Sequence, residues 1–332
     1  MREITTLCRF GGLVLGVIGL VVGASAQELI DRPAPLPETV KLIVGYNKVP
    51  HVSPLKLIDA RMKAMNVDVQ MVEFLRYADT RTALASGSIE IGTIGPADVP
   101  IAVSQGITSI IGLMGVGVSP KNPIAKKDVK ISTWDDLKGK RVGIAPGSAV
   151  WFQFAATLQE VGVPYNQLQI VNIQGGGMPF VQTMQRGDLD VYAGWEPYES
   201  MSENDGTGYR VTALDFSTSK AVGAELGLIG VSKPTLDGKR EALRRFLWAY
   251  LDAQKEAMSS KEKLGETIAA WTGLEPKFAA SVAKVTTLGQ FLTMDQVKRQ
   301  AQAFHQFGVL TKDVSGDLDK YFDQAILKTV VK

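Results

Sequence analysis

The sequence predicts an α/β protein made of two similar lobes around a cleft, followed by a helical carboxyl-terminal tail. Three observations support this prediction. A phrase of similar type occurs twice, one hundred residues apart, at Gly87 and at Gly187. Strands and helices alternate around both copies, whereas the chain beyond Pro234 shows only a helical pattern. Such alternation is typical of sheets covered by helices, and two lobes of this kind commonly enclose a ligand cleft.

The composition is that of a globular protein. The chain has 332 residues, of which 45% are hydrophobic and 21% charged, with a formal net charge of +2. This length allows two cores, and these percentages fit neither a disordered chain nor a protein with many membrane spans. The small net charge provides no polycationic face, so we expect no nucleic-acid partner.

Residues 1–26 have the pattern of an export signal. Two arginines flank the start, residues 10–23 are apolar, and Ala24-Ser25-Ala26 is typical of a cleavage site. An uncleaved membrane anchor is the alternative. Cys8, the only cysteine, lies in this leader, so the mature chain has no disulfide, no thiolate nucleophile and no cysteine-based metal site. We therefore expect a soluble, exported protein.

The elements before residue 118 alternate in type. Hydrophobic patterns predict strands at residues 40–45, 67–75 and 89–94 and helices at residues 53–65, 78–86 and 97–104. This order implies a mainly parallel sheet with right-handed crossovers. The apolar run at residues 107–118 could cross to the other lobe.

The middle of the chain repeats this scheme. It predicts strands at residues 141–145, 168–173, 189–193 and 209–214, and helices at residues 148–161, at residues 178–186 and from Glu196 onward. A strand at residues 225–231 then returns to the first lobe. We therefore assign residues 38–116 and 226–332 to lobe 1 and residues 117–225 to lobe 2.

The tail is predicted to be helical throughout. The helices are expected at residues 240–258, 261–272, 276–283, 294–307 and 318–327. Leu243, Phe246 and Leu247 form part of one apolar stripe, which we expect to pack against the first lobe.

The ligand site is expected in the loops that follow the strands. These loops are residues 46–53, 75–79 and 93–98 in the first lobe and residues 145–149, 174–178 and 194–198 in the second. Any one of them could be an ordinary turn, and the prediction depends on both lobes offering such loops together. The candidate ligand residues are Tyr46, Asn47, Arg76, Gly95, Ser148, Trp195 and Glu196.

Four of these residues suggest a chemistry. Ser148 opens a helix whose free N–H groups could hold an anion. Arg76 could pair with a carboxylate or a sulfonate, although a solvated surface arginine is an equal alternative. Trp195 could form an aromatic wall, and Glu196 could meet an amine.

Catalytic chemistry has little support in the sequence. The only histidines are His51 and His305, and neither belongs to a metal-ligand pattern. We interpret His305 as structural and His51 as a polar surface residue of a ligand loop. No nucleophile elbow or dinucleotide fingerprint occurs, so we expect no catalytic residue, no metal and no cofactor.

Several motifs resemble a known family. Asp135-Asp-Leu-Lys-Gly-Lys-Arg-Val-Gly-Ile-Ala-Pro-Gly-Ser148 resembles the second-lobe opening of periplasmic substrate-binding proteins of ABC importers, in the nitrate, sulfonate and taurine branch. The phrase from Ala83 to Pro96 and the phrase from Gln185 to Pro197 are similar to other signatures of that branch. The resemblance covers about residues 40–328, and it implies the two-lobe type II periplasmic-binding fold.

The resemblance also implies a function. A protein of this branch captures a small organic anion, such as a sulfonate, a taurine-like compound or a carboxylate, and delivers it to a membrane permease with a cytoplasmic ATPase. We expect such a receptor to be a monomer and not an enzyme. Arg76-Tyr77 stands where small residues are common in the branch, which leaves the identity of the solute open.

Two other functions stay open at this point. The wider superfamily contains binders of thiamine-precursor pyrimidines and related enzymes. A periplasmic sensor subunit that reports ligand to a membrane kinase is the other alternative.

Overall fold

The computed structural model describes residues 28–219, 223–308 and 310–332, so the predicted leader lies outside the described residues. The strands, in chain order, are β1 Val40–Tyr46, β2 Val67–Glu73, β3 Ile91–Ile94, β4 Ile110–Val118, β5 Ile124–Lys126, β6 Arg141–Ile144, β7 Gln169–Asn172, β8 Val191–Tyr192, β9 Gly208–Arg210, β10 Glu225–Ser232 and β11 Thr287–Leu288.

Helices cover the faces of the strands and form most of the chain after β10. They are α1 Asp59–Lys63, α2 Tyr77–Ser86, α3 Asp98–Ser104, α4 Ala149–Glu160, α5 Met178–Gln185, α6 Tyr198–Asn204, α7 Lys233–Gly238, α8 Arg240–Ala257, α9 Lys261–Thr272, α10 Pro276–Val285 and α11 Met294–Gln306.

The strands form two sheets. The first has the order β11-β4-β10-β3-β1-β2, and the second has the order β7-β6-β8-β5-β9. The first sheet takes its strands from two separate stretches, residues 40–118 and 225–288, whereas the second takes them all from residues 124–210. The boundaries of the two lobes stay a prediction.

The expectation of mainly parallel strands holds for their direction, but both sheets are mixed. Four strands of each sheet run the same way, and of these only β2-β1-β3 and β7-β6-β8 are direct neighbours. The strand β10 runs antiparallel between β3 and β4, and β5 runs antiparallel between β8 and β9. Each sheet therefore has a parallel half, where strand ends and helix starts meet as in other α/β proteins.

Two predicted helices take a different form. The stretch at residues 53–65 is a 3₁₀ segment, Pro50–Leu57, followed by the short α1. Pro54 lies inside that segment and has no N–H to donate, which disfavours a continuous α-helix there. The last predicted helix is two 3₁₀ segments, Ser315–Tyr321 and Gln324–Thr329, separated by an extended Phe322.

The cores lie between the sheets and these helices. Phe246, Leu247 and Tyr250 of α8 are fully buried in one core with Leu42 and Val44 of β1, so the predicted stripe of the tail packs against the first sheet. On the second sheet, α4 contributes two of the buried core side chains, Phe154 and Leu158.

The two halves also touch each other beside the cleft. Phe152 of α4 packs against Phe304 of α11 with ring centroids 5.2 Å apart. On another helix pair, Ser281 Oγ of α10 donates to Asn204 Oδ1 of α6 at 3.2 Å. Both contacts join the helical tail to helices of the second sheet.

Candidate ligand-binding site

A cavity lies between the two sheets, where the strand ends of both face each other. Its volume is about 1330 Å³, and part of it is open to solvent. The first sheet contributes the loops after β1, β2 and β3, and the second contributes those after β6, β7 and β8. These are the six loops in which the sequence predicted the site. Of the seven candidate residues, six line the cavity: Asn47, Arg76, Gly95, Ser148, Trp195 and Glu196.

Tyr46 does not line the cavity. Its ring packs against Trp271 at a centroid distance of 4.7 Å, and its hydroxyl donates to Glu73 Oε2 at 3.2 Å. Tyr46 is the last residue of β1, and successive side chains of a strand point to opposite faces. The structure therefore brings Asn47, and not Tyr46, to the cavity.

The amino-terminal end of α4 reaches the cavity from the second sheet. Ser148 Oγ caps this helix by accepting from the Trp151 N–H at 3.1 Å. The N–H groups of Ala149 and Val150, the first helical residues, have no acceptor within the helix, and both residues line the cavity. Free N–H groups and the helix dipole together favour an anion at this point.

The amino-terminal end of α2 approaches from the other side. Arg76 holds the cap position without a side-chain cap, and the first helical residues, Tyr77 and Ala78, line the cavity. Helices of ten and twelve residues thus direct their positive ends at one cavity from opposite sheets. This arrangement is suited to an oxyanion held between the lobes.

Arg76 itself is engaged in a local ion pair. Its guanidinium donates to the Asp79 carboxylate at 2.9 and 3.3 Å, and its side chain is 56% exposed. Hydrogen bonding to Asp79 raises the pKa of Arg76, with the Asp79 charge adding to it. The arginine therefore stands at the rim of the cavity with its charge already paired.

Asn47 and Gly95 shape the loops of the first sheet. Asn47 Nδ2 donates to the Phe74 carbonyl at 2.9 Å, and its Oδ1 accepts from Thr80 and Thr93 at 3.3 and 3.2 Å. The Gly95 N–H donates to Asp98 Oδ2 at 2.7 Å. Both residues line the cavity while their polar groups join neighbouring strand ends.

Trp195 and Glu196 occupy the loop after β8. The indole of Trp195 meets the rings of Phe180 and Tyr198 edge to face. The carboxylate of Glu196 is buried, and it accepts from Ser200 and, at 2.6 Å, from Arg210. The Glu196 carboxylate, which we expected to be able to meet an amine, is therefore neutralised by Arg210 inside the protein.

Lys121 is a cavity residue that sequence reasoning missed. It is buried, and its ammonium donates to the carbonyls of Gly223 and Glu225 at 2.6 and 2.9 Å. Burial lowers its pKa to about 8, although the nearby Glu225 charge opposes this shift. The residue follows β4 in a connecting segment, and nothing in the local pattern distinguishes it from a surface lysine.

His51 and Tyr77 form a second missed pair. The interpretation of His51 as a surface residue is wrong, because its side chain is buried at the cavity and bonds through Nε2 to the Tyr77 hydroxyl. Burial lowers the pKa of His51 to about 3, and the Lys121 charge adds to this effect. The imidazole is therefore neutral at pH 7. One feature of the sequence could have indicated a special role for Tyr77, because Arg76-Tyr77 stands where small residues are common in the branch.

Two kinds of feature are absent from the part of the chain that the structure describes. It contains no group of three or more histidine, cysteine, aspartate or glutamate side chains placed to hold a metal ion. None of its helices combines the length and the apolar character that a bilayer span requires.

A family model described as NMT1/THI5 like matches residues 62–263. The chain belongs to the NMT1/THI5-like family. The match spans the loops after β2, β3, β6, β7 and β8, and therefore most of the cavity lining. It also covers both copies of the phrase that the sequence uses twice.

This NMT1/THI5-like chain is similar to two proteins of Escherichia coli (strain K12) that are named as binding proteins. It is 27% identical over 228 residues to a taurine-binding periplasmic protein, an alignment that covers 68% of this chain and 69% of the relative. It is 30% identical over 137 residues to a putative aliphatic sulfonates-binding protein, covering 40% and 41% of the two chains. The resemblance to the nitrate, sulfonate and taurine branch is confirmed.

Solved structures of low identity share the fold. The alkanesulfonate-binding protein SsuA from Xanthomonas axonopodis pv. citri, bound to MOPS, has a TM-score of 0.72 at 19% identity and covers 87% of this chain and 99% of its own. The periplasmic nitrate-binding protein NrtA from Synechocystis PCC 6803 has a TM-score of 0.72 at 17% identity, with coverages of 90% and 89%. The predicted two-lobe periplasmic-binding fold is confirmed.

Proposed function

We propose that this protein is a periplasmic solute receptor that binds a small organic sulfonate in its cavity and delivers it to an ABC importer. The observation that carries the proposal is the convergence of α2 and α4 on one cavity from opposite sheets. Free N–H groups at both helix starts provide donors for the oxygens of an anion. Contacts from both lobes to one ligand would favour the closed population of a two-lobe protein.

The head group is expected at the start of α4. Ala149 and Val150 offer main-chain donors there, and the Ser148 hydroxyl can donate while its oxygen caps the helix. Lys121 adds a buried positive charge to the same cavity. A sulfonate stays singly charged across physiological pH, so it suits a site made mainly of main-chain dipoles.

The similarity to curated proteins supports transport over the alternatives. The relatives are named as taurine-binding and sulfonates-binding proteins, which favours a binding protein over an enzyme and a sulfonate over a pyrimidine. A receptor of this kind would act with a membrane permease and its ATPase. We propose that it does so as a monomer, without a cofactor.

A thermal-shift screen tests the proposal. Purified mature protein is heated with alkanesulfonates, taurine, carboxylates, nitrate, bicarbonate and pyrimidines. A ligand at a hundred times its dissociation constant should raise the free energy of unfolding by about 2.7 kcal/mol. Stabilisation by sulfonates is expected, and no stabilisation by any oxyanion would overturn the proposal.

The location and the partner need separate tests. Mass spectrometry of the protein recovered from the periplasm should find an amino terminus near Gln27, which would establish the cleavage of residues 1–26. Light scattering should give the mass of one chain. Genes for a permease and an ATPase beside this one would support transport, whereas a membrane kinase gene there would favour the sensor.

A further inference from the structure

The cavity contains charged side chains, but most of them are already paired within the protein. Arg76 is paired with Asp79 at the rim. On the same side, Asp98 is paired with Arg81 and also accepts from the Gly95 N–H. Neither the arginine at the rim nor the aspartate behind it is left for a charged group of the ligand.

The acids that the second sheet contributes to the cavity are also paired within the protein. Arg210 binds Glu196 at 2.6 Å, Glu199 at 2.9 Å and Glu203 at 3.0 Å. Glu196 and Glu199 line the cavity, but both carboxylates are committed to this arginine. Burial raises the pKa of Glu199 to about 8, and the neighbouring Glu196 adds to it, so this side chain carries little negative charge at pH 7.

Glu225 is the remaining acid of the cavity lining. Its Oε2 is buried without a hydrogen-bond partner. A Cβ placed on Gly223 would lie 2.4 Å from this oxygen and 2.7 Å from Gln296 Nε2, so the oxygen and this amide of α11 lie on the same side of Gly223. Burial raises the pKa of the Glu225 carboxyl, whereas the nearby positive charges of Lys121 and Arg299 lower it. A cationic ligand group close to Glu225 would therefore also meet the charges of these two residues.

The remaining lining is largely apolar. It includes Val49, Leu75, Ile101, Val150, Phe152 and Trp195. Leu75 is 76% exposed, more than any other large hydrophobic side chain among the described residues. Covering this side chain would remove apolar surface from water, which would favour a ligand with an apolar body. The size of the cavity leaves room for a ligand body well beyond two carbons.

We propose that the cavity selects organosulfonates with an uncharged, apolar body, alkyl or aryl, and discriminates against amino sulfonates. The inference rests on the proposed function for the sulfonate head group and adds the identity of the rest of the ligand. The body lies against Leu75, Phe152 and Trp195. An ammonium in its place would lose its water without gaining a carboxylate partner.

Calorimetry with a matched series of ligands tests the inference. Taurine and propane-1-sulfonate have the same shape and differ only in an ammonium or a methyl group at the end. We expect propane-1-sulfonate to bind at least tenfold more tightly than taurine. From ethanesulfonate to hexane-1-sulfonate, each added methylene should tighten binding about fourfold, as full burial of a methylene predicts. Hexanoate tests whether the head group must be a sulfonate.

Variants locate the apolar body within the cavity. Leu75→Ser should reduce the affinity ratio between hexane-1-sulfonate and ethanesulfonate at least threefold, because the longer alkyl chain loses more apolar contact. Val161→Ser is the control, since Val161 is 41% exposed and lies outside the cavity lining. It should leave the ratio unchanged.

The outcomes separate this inference from the proposed function. If taurine binds as tightly as propane-1-sulfonate or more tightly, the inference is overturned while the sulfonate receptor stands. An affinity that is independent of chain length would overturn it as well. If neither the sulfonates nor hexanoate bind, the proposed function itself is overturned, and the inference with it.

Discussion

The loop after β3 and the loop after β8 hold equivalent places in the two sheets, yet they are stabilised to different extents. The first contains Gly95 and is fastened by Asp98, which accepts from the Gly95 N–H and pairs with Arg81. The second contains Glu196 and is fastened by Arg210, which binds three carboxylates. Both loops use a buried acid and an arginine to hold their own shape.

The comparison shows where recognition can come from. The acids and arginines of both loops are paired within the protein. The groups that remain for the ligand are therefore the helix-start N–H groups, the buried charge of Lys121 and apolar side chains. The two loops differ in what they offer beyond that. The first ends in small residues, whereas the second presents the indole of Trp195 to the cavity.

Replacing Arg210 and Arg81, one at a time, should lower the free energy of unfolding to different extents. Arg210→Met leaves Glu196 buried without its cation and Glu199 without its hydrogen-bond donor, so we expect the free energy of unfolding to fall by about 3–5 kcal/mol. Arg81→Met leaves one buried aspartate that keeps its Gly95 donor, and we expect a smaller loss of about 1–3 kcal/mol. Urea denaturation of both variants measures the difference. An equal or larger loss for Arg81→Met would contradict the ranking.

The two halves should also respond to pH in opposite directions. Buried His51 has a pKa of about 3, below the ordinary 6.5, so the unfolded chain takes up its proton first as the pH falls. Its contribution is therefore lost progressively from pH 6.5 towards pH 3, by a few kcal/mol in total. The pKa of Glu199 is raised to about 8 from 4.5, so its contribution is fully present below pH 4.5 and is lost progressively as the pH rises from 4.5 to 8.

Histidine variants isolate the acid side of this comparison. His51→Asn should flatten the fall in unfolding free energy between pH 6.5 and pH 4, measured by denaturation at several pH values. His305→Asn is the control, because His305 is the only other histidine and is exposed on α11. A slope unchanged in His51→Asn, or flattened equally in both variants, would mean that His51 is not the buried neutral group.

Two serine helix caps allow the effect on stability to be measured separately from the effect on ligand binding. Ser148 and Ser260 cap α4 and α9 through the same contact, an N–H to Oγ distance of 3.1 Å. Ser148→Ala and Ser260→Ala should each cost about 1 kcal/mol of unfolding free energy. Only Ser148→Ala should also weaken sulfonate binding, by about three- to tenfold, since it removes a donor at the cavity. Equal affinities in the two variants would show that the Ser148 hydroxyl does not contact the ligand.

Replacement of Arg76 should have the smallest effect on stability and on sulfonate affinity. Its guanidinium is more than half exposed and is paired with Asp79, so Arg76→Ala should change the unfolding free energy by less than about 0.5 kcal/mol. Sulfonate affinity should fall less than threefold in the same calorimetric assay. A loss of more than tenfold would show that the arginine leaves Asp79 to bind the ligand.

The loops that line the cavity were predictable from the sequence, whereas the pairing of its charged side chains was not. Glycine, proline and serine were frequent in four of the six loops, because strand ends and helix starts have characteristic sequence signals. Glu196 looked free since its partner, Arg210, lies on β9 in a different sequence context. Lys121 and His51 had no local signal, since their burial depends on the return of β10 and on the packing of tail helix α8.

The fold, too, was only partly predictable from the sequence. The alternation of strands and helices predicted two α/β sheets, and the stripe on α8 predicted its packing. The antiparallel course of β10 was not predictable from its own residues. An apolar strand buried on both faces has the same pattern whichever way it runs, and only its position between β3 and β4 decides its direction.

The most direct test of the account is a crystal structure of the complex with hexane-1-sulfonate. The account predicts sulfonate oxygens about 3 Å from the N–H groups of Ala149 and Val150, with the alkyl chain against Leu75 and Trp195. A sulfonate bound to the Arg76 guanidinium with its chain in solvent, or bound outside the cavity, would contradict it.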